Sequence, residues 1–188
     1  MTILFMRACY RNIPSIPRSY RLVLPTPQST AQISEQYPYL VDHGILDVLL
    51  PKKSDPVLIK LPEHVQLLVL DHQPLFFSTR DGGWFPTLRL LHQYPDMMPK
   101  LRADQGAIKF VLSGANIMCP GLTSPGATIH DEVDKGSAVA IYAEGKENAM
   151  AIGYTQMSTE EMRSVNKGIG VDNLHYLNDG LWKTPKLH

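Results

Sequence analysis

The chain has 188 residues, 44% of them hydrophobic, with 18 basic and 18 acidic side chains and a formal net charge of zero. That length holds one large domain or two small ones, and the charge balance excludes a general polyanion binder. Cys9 and Cys119 are the only cysteines, too few for a disulfide framework or a four-thiolate zinc site, which fits a reducing, cytoplasmic setting. No apolar run approaches the roughly 20 residues of a membrane-spanning helix, and Arg7 interrupts the apolar start too early for a good secretory signal.

Residues 1–27 contain four arginines (Arg7, Arg11, Arg18, Arg21) and four prolines (Pro14, Pro17, Pro25, Pro27), and the first acid is Glu35. This composition disfavours helix and packed core alike, so a disordered start is expected. An Arg-rich, acid-poor leader to the mitochondrion is the competing reading, but such a leader forms an amphipathic helix, which the prolines oppose. The remainder carries 14 basic and 18 acidic residues, a charge of minus four. Any RNA contact must then be a local patch.

From Gln28 to Leu50 two short helices are expected, the second opening near Pro38 and closing before Pro51. Lys52 and Lys53 read as a solvated helix end. Residues 57–61, 65–70 and 75–78 are apolar, β-rich runs separated by Pro62-Glu63 and by residues 71–74, and they predict an antiparallel meander. After the Asp81-Gly82-Gly83 turn, Pro86 opens a helix carrying Leu88, Leu90 and Leu91 that must stop at Pro95. Residues 96–104, with two methionines, a proline and two basic residues, read as an inter-domain hinge. The expected units are residues 28–98 and 99–183.

The second unit is organised around residues 104–126. Ala107, Ile108, Val111, Leu112 and Ala115 fall in one helical stripe while Lys109 and Ser113 face elsewhere. Asp104 suits the N-cap, Gly114 suits a left-handed helix end, and the chain leaves through Ile117 and Met118. By residue type Phe110, Met118 and Cys119 are assigned to the core. Residues 138–143 and 149–154 read as a hairpin, with Tyr142 and Tyr154 as packed strand tyrosines whose hydroxyls stay wet. Ser158 and Glu161 form a capping box, flanked by Met157 and Met162 at staple positions, for a helix from Thr159 to near Gly168. A last strand region from residue 171 to Trp182 closes a small β-barrel, and residues 184–188 are expected to fray.

The run GAIKFVLSGANIMCPGL (106–122) resembles the signature of the PUA RNA-binding domain. Together with VNKGIGVDNLHYLNDGLW (165–182) and the shorter matches EQYP, LLPKK, FPTLRLLHQYP and VAIYAEGK, it resembles the malignant T-cell-amplified sequence family of translation factors. The resemblance runs from about Glu35 to Trp182. Residues 1–27 depart from it, since members usually begin with a lysine-rich amphipathic segment. It implies an α+β protein: a helix-plus-antiparallel-sheet unit followed by a PUA pseudo-barrel. It also implies a non-catalytic factor without cofactor or metal, which binds the small ribosomal subunit and tRNA. Density-regulated protein would be its heterodimer partner, in re-initiation, non-canonical initiation or post-termination recycling.

On the same resemblance, Lys109 would contact phosphate; Gly106, Gly114 and Gly121 would allow close backbone approach; Ser113 and Asn116 would reach sugar or base; and Lys100 and Arg102 would flank the region. Ser124-Pro125 is a minimal proline-directed phosphorylation site beside it. The seven histidines show no metal-ligand spacing, and neither Cys119 nor Ser124 sits in a nucleophile motif. His175 and Asp179 could form an orienting pair, although Asn178-Asp179-Gly180 reads first as a turn. Two alternatives stand beside this reading: the RNA-targeting part of a modification enzyme, and a protein-interaction scaffold on a PUA fold.

Overall fold

The computed structural model describes residues 21–23, 27–51, 53–79 and 83–187. Five short strands form a first sheet in chain order: β1 (Arg21–Val23), β2 (Val57–Lys60), β3 (Gln66–Leu70), β4 (Gln73–Ser78) and β5 (Trp84–Pro86). All neighbouring pairs are antiparallel, as the meander predicts. The strand at 21–23 and the helix that starts at Pro27 correct the expectation of disorder there; the rest of that expectation, on residues 1–20 and 24–26, lies outside the described residues.

Helices α1 (Pro27–Gln36), α2 (Pro38–Asp42), α3 (Ile45–Leu49) and α4 (Leu88–Gln93) accompany this sheet. Three helices replace the expected two before Pro51 because Gly44 takes a left-handed conformation, φ +65°, and divides the second. Ile33 and Leu40 are fully buried in a core with Leu67, Leu68, Phe76 and Phe77. The Tyr37 hydroxyl donates to the Trp84 carbonyl at 2.7 Å, and burial pushes its pKa upward. Thr87 caps α4 by accepting from the Leu90 amide.

The expected hinge is packed. Residues Pro95–Met97 make a 3-10 turn, and Met97 and Met98 sink into the first core at 5% and 3% exposure. That core also takes Ala140, Ile152 and Leu181 from the second unit. The two units therefore share a continuous apolar seam, which opposes independent motion.

The second sheet has six strands: β6 (Lys100–Ala103), β7 (Ile117–Met118), β8 (Thr128–Ile129), β9 (Ala138–Ala143), β10 (Ala149–Thr155) and β11 (Ile169–Tyr176). Their order is β7-β11-β10-β9-β6-β8, and only β6 with β9 is parallel. The sheet curls into a half-barrel around Leu101, Val111, Ile117, Val139, Ile141 and Val171. Strand β9 reads as an unbroken apolar run because both faces are covered: Val139, Ile141 and Ala143 enter the barrel, while Ala140 and Tyr142 meet the first core.

Four helices complete this unit: α5 (Gln105–Leu112), α6 (Pro120–Thr123), α7 (Thr159–Val165) and α8 (Gly180–Lys183). The capping box at Ser158 and Glu161 is present. The tail does not fray: Leu187 is 2% exposed, its amide donates to the His72 carbonyl at 2.8 Å, and its own carbonyl meets His72 Nδ1 at 2.9 Å.

Candidate nucleic-acid interface

Helix α5 opens on Asp104, whose Oδ1 accepts from the Ala107 amide at 2.9 Å, and closes as Gly114 turns to φ +84°. The Gly114 and Ala115 amides then satisfy the Val111 and Phe110 carbonyls. The short α6 is tied back by the Asp104 amide, which donates to the Gly121 carbonyl at 3.0 Å. Between α5, β7 and α6 lies a groove of about 380 Å³, whose lining includes Gly106, Phe110, Asn116, Met118, Gly121 and Ser124.

Phe110 and Met118, assigned by residue type to the core, are each 55% exposed. The helical period already placed Phe110 outside the stripe formed by Ala107, Ile108, Val111 and Leu112; residue type overrode that signal. Met118 pairs with Ile169 across β7 and β11, and Ile169 is 43% exposed, so the apolar surface continues beyond the groove. The Lys109 ammonium stands 4.9 Å from the Phe110 ring centroid. A flat aromatic face beside a mobile cation is the pairing that stacks a base and meets its phosphate.

The three glycines have different surroundings. Gly106 is exposed, and an added Cβ would meet nothing closer than Asp104 Oδ2 at 3.6 Å. Gly121 lies against helix α5, where a Cβ would stand 3.1 Å from the Ala107 Cβ. Gly114 is buried against Tyr176, with a Cβ only 2.7 Å from that hydroxyl. Its lack of a side chain serves internal packing.

Ser113 is exposed and donates its hydroxyl to the Phe110 carbonyl at 2.7 Å. Asn116 is braced at both ends, donating to Asp172 Oδ1 at 2.8 Å and accepting from the Asn173 amide at 3.2 Å. Asp172 also accepts from Gln156 Nε2 at 2.6 Å; burial raises its carboxyl pKa and that bond opposes the rise. The Ser124 hydroxyl donates to the Pro120 carbonyl. Cys119 is fully buried, as residue type suggests, and burial pushes its thiol up.

Lys100 and Arg102 do not flank this groove. Leu101 and Ala103 point into the barrel, so their neighbours on β6 face the opposite side, in a second depression with Tyr142. Lys100 is ion-paired with Asp96 there.

His175 and Asp179 do pair, Nδ1 to Oδ2 at 2.6 Å, with side chains 1% and 6% exposed. Asp179 also accepts from the Tyr176 amide and, as the N-cap of α8, from the Trp182 amide. The turn expected there exists as well, with Asn178 at φ +77°. The pair lies under Phe77, whose ring meets the imidazole edge-on at 5.7 Å, so its geometry is that of a structural brace. Among the described residues no group of three or more His, Cys, Asp or Glu could hold a metal ion, and no helix is long and apolar enough to cross a membrane.

Residues 99–177 match the PUA domain family and residues 30–95 the Pre-PUA-like domain family. The class is thereby defined: an α+β protein in which a pre-PUA unit carries a PUA half-barrel. The chain is 51% identical over 152 residues to malignant T-cell-amplified sequence 1 of Rattus norvegicus, covering 80% of this chain and 81% of that one. It is 51% identical over 155 residues to the Drosophila melanogaster homolog, with coverage of 82% and 84%, and 50% identical over 153 residues to human malignant T-cell-amplified sequence 2, with coverage of 81% and 82%. The chain belongs to the malignant T-cell-amplified sequence family.

Two archaeal structures share the fold at lower identity. One is a hypothetical protein of Pyrococcus horikoshii, at TM-score 0.69 and 22% identity, covering 88% of this chain and 99% of that one. The other is a PUA domain protein of Aeropyrum pernix, at TM-score 0.62 and 19% identity, covering 87% and 89%.

Proposed function

We propose that this protein is a non-catalytic, cytoplasmic translation factor that binds RNA through the α5 face of its PUA domain. Its targets are the small ribosomal subunit and tRNA, and its heterodimer partner is density-regulated protein. It acts in re-initiation, non-canonical initiation or post-termination recycling. The observation that carries the reading is the exposed Phe110 and Met118 pair lining a groove, with the Lys109 ammonium beside the Phe110 ring, in a chain that belongs to this family. Stacking and phosphate contact at one place give binding by positioning, with no chemical step for the protein to perform. Gly106 leaves the lining of the groove open to a nucleotide backbone, Gly121 lets α6 close on α5 beneath it, and Ser113 adds an exposed hydroxyl. Ser124 lines the same groove, so a phosphate on it would set a charge of about −1.5 to −2 against an incoming RNA.

The test is co-sedimentation of the full chain with small ribosomal subunits, with and without density-regulated protein, comparing wild type with Lys109→Glu and Ser124→Asp. Binding that requires the partner and falls in both variants supports the reading. Partner-dependent binding that both variants retain in full would move the RNA contact off this face, and no binding in either condition would favour a protein-interaction scaffold.

A further inference from the structure

The depression on the other side of the half-barrel has a volume of about 620 Å³ and opens between β6, the β8 end, the β9–β10 turn and the 3-10 turn at 95–97. Its base is Tyr142, 6% exposed, which sits beside Arg102 in the parallel β6–β9 register. The cations of this depression are unequally engaged. Lys100 is held by Asp96, and the Lys100 amide takes Asp131 Oδ2 at 2.7 Å. Asp96 is thus neutralised, and Asp131 has one oxygen occupied by an amide while keeping its charge. Arg102 makes no ion pair among the described residues, and its Nε is buried without a hydrogen-bond partner. Lys146 and His130 line the same wall, both exposed and both without a side-chain partner among the described residues. Glu147 is the remaining acid, exposed at the rim.

The Arg102 guanidinium meets no carboxylate among the described residues, and its terminal nitrogens, unlike the enclosed Nε, keep their donors for a ligand in this depression. A carboxylate has two oxygens and is satisfied by one guanidinium fork. A phosphate offers more acceptors than one fork can fill, and the guanidinium, ammonium and imidazole of this wall together match it. We propose that this depression is a second phosphate site, and that its natural occupant is the backbone of an RNA strand distinct from the one on the Phe110 groove. Two RNA segments would then lie on opposite faces of the PUA half-barrel, with Lys109 serving one and Arg102, Lys146 and His130 the other. The inference rests on the RNA-binding reading above for the source of the phosphate, whereas the anion site itself stands on the geometry alone.

The experiment is nuclear magnetic resonance of the full chain, following the Arg102 Nε–H signal and the backbone amides of Lys109 and Phe110 in one sample. The additions are inorganic phosphate, acetate, uridine monophosphate and a short single-stranded RNA. Phosphate should shift the Arg102 signal saturably and at lower concentration than acetate; RNA should shift it also in the Lys109→Glu protein, where the groove is disabled. Arg102→Gln with Lys146→Gln should lower the RNA salt slope by about 1 to 2, near the 0.7 per phosphate contact of a single strand, and leave the Phe110 response intact. Equal shifts with acetate would reassign the site to carboxylates, hence to an acidic peptide. A response to phosphate and uridine monophosphate but not to RNA would make it a free-nucleotide site, and an unmoved Arg102 signal throughout would end the proposal. Failure of the groove reading is separately visible, as Lys109 and Phe110 amides that ignore RNA.

Discussion

Two glycines eight residues apart, Gly106 and Gly114, should respond in opposite directions to the same substitution. At Gly114 an alanine must adopt φ +84°, which costs a residue with a Cβ about 1–2 kcal/mol. Its Cβ would also sit 2.7–2.8 Å from the Tyr176 Oη, Cε1 and Cζ atoms. Relieving that overlap displaces a ring packed on the barrel core, an overpacking cost of about 1–3 kcal/mol. Gly114→Ala should therefore lose roughly 2–5 kcal/mol in urea unfolding, and its Tm should fall by roughly 4–20 °C, since about 2–4 °C follow each kcal/mol in a chain of this size. Gly106 occupies the first turn of α5 with open space around its Cα. Gly106→Ala should gain a few tenths to about 1 kcal/mol from helix propensity. The assay is thermal and urea unfolding of both variants beside wild type. A Gly114→Ala loss below about 1 kcal/mol, or the same sign at both positions, would refute the geometric account of this turn.

Phe110→Ala should separate function from stability. A side chain 55% exposed leaves unfolding within about 1 kcal/mol of wild type, while loss of a stacking face should weaken RNA binding by about 1–3 kcal/mol, roughly 5- to 150-fold, in a fluorescence-anisotropy titration. Asp179→Ala removes the α8 cap and leaves the His175 Nδ1 proton unpaired in the core, so urea unfolding should show a loss of roughly 2–4 kcal/mol, and a loss under about 1 would mean that the brace is idle. Cys119, buried with its thiol pushed up, should alkylate with iodoacetamide at least about 100-fold more slowly in the native than in the urea-unfolded protein, read on its own peptide by mass spectrometry; similar rates would show that the β7 region opens readily.

Local chemistry made much of the fold legible. The capping box at Ser158, the Asp104 cap and the apolar runs and turns of the meander each depend on neighbours in sequence, and each appears where the residues put it. The misreadings arose where distant residues decide. Nothing near Leu187 in sequence announces that its amide will find His72, and nothing in residues 96–98 tells a packed methionine pair from a linker until the β9 and β10 side chains arrive. Gly44 lies inside the second expected helix, but whether it softens that helix or divides it depends on its backbone angle. For the candidate site, the glycines around α5 and Lys109 were assigned by resemblance alone, whereas the exposure of Phe110 was written in the helical period and lost to a rule about residue type. The separation of Lys100 and Arg102 from the groove follows from the strand alternation at β6, once that segment is known to be a strand and not a hinge.

The clasp between Leu187 and His72 has a consequence for how the molecule is made. A ribosome delivers the chain from one end, and the hairpin bearing His72 emerges long before residue 187 does. Until then the first unit carries an unfinished surface where α8 and the tail will lie, and Leu181 and Leu187 are absent from a core they help to complete. Closing a contact across 115 residues is also among the slowest steps topology imposes. The contacts that Leu181 and Leu187 add to the first core are therefore the last that synthesis can supply, and a protein truncated before Gly180 should be cut by proteases where α8 and the tail would cover that core.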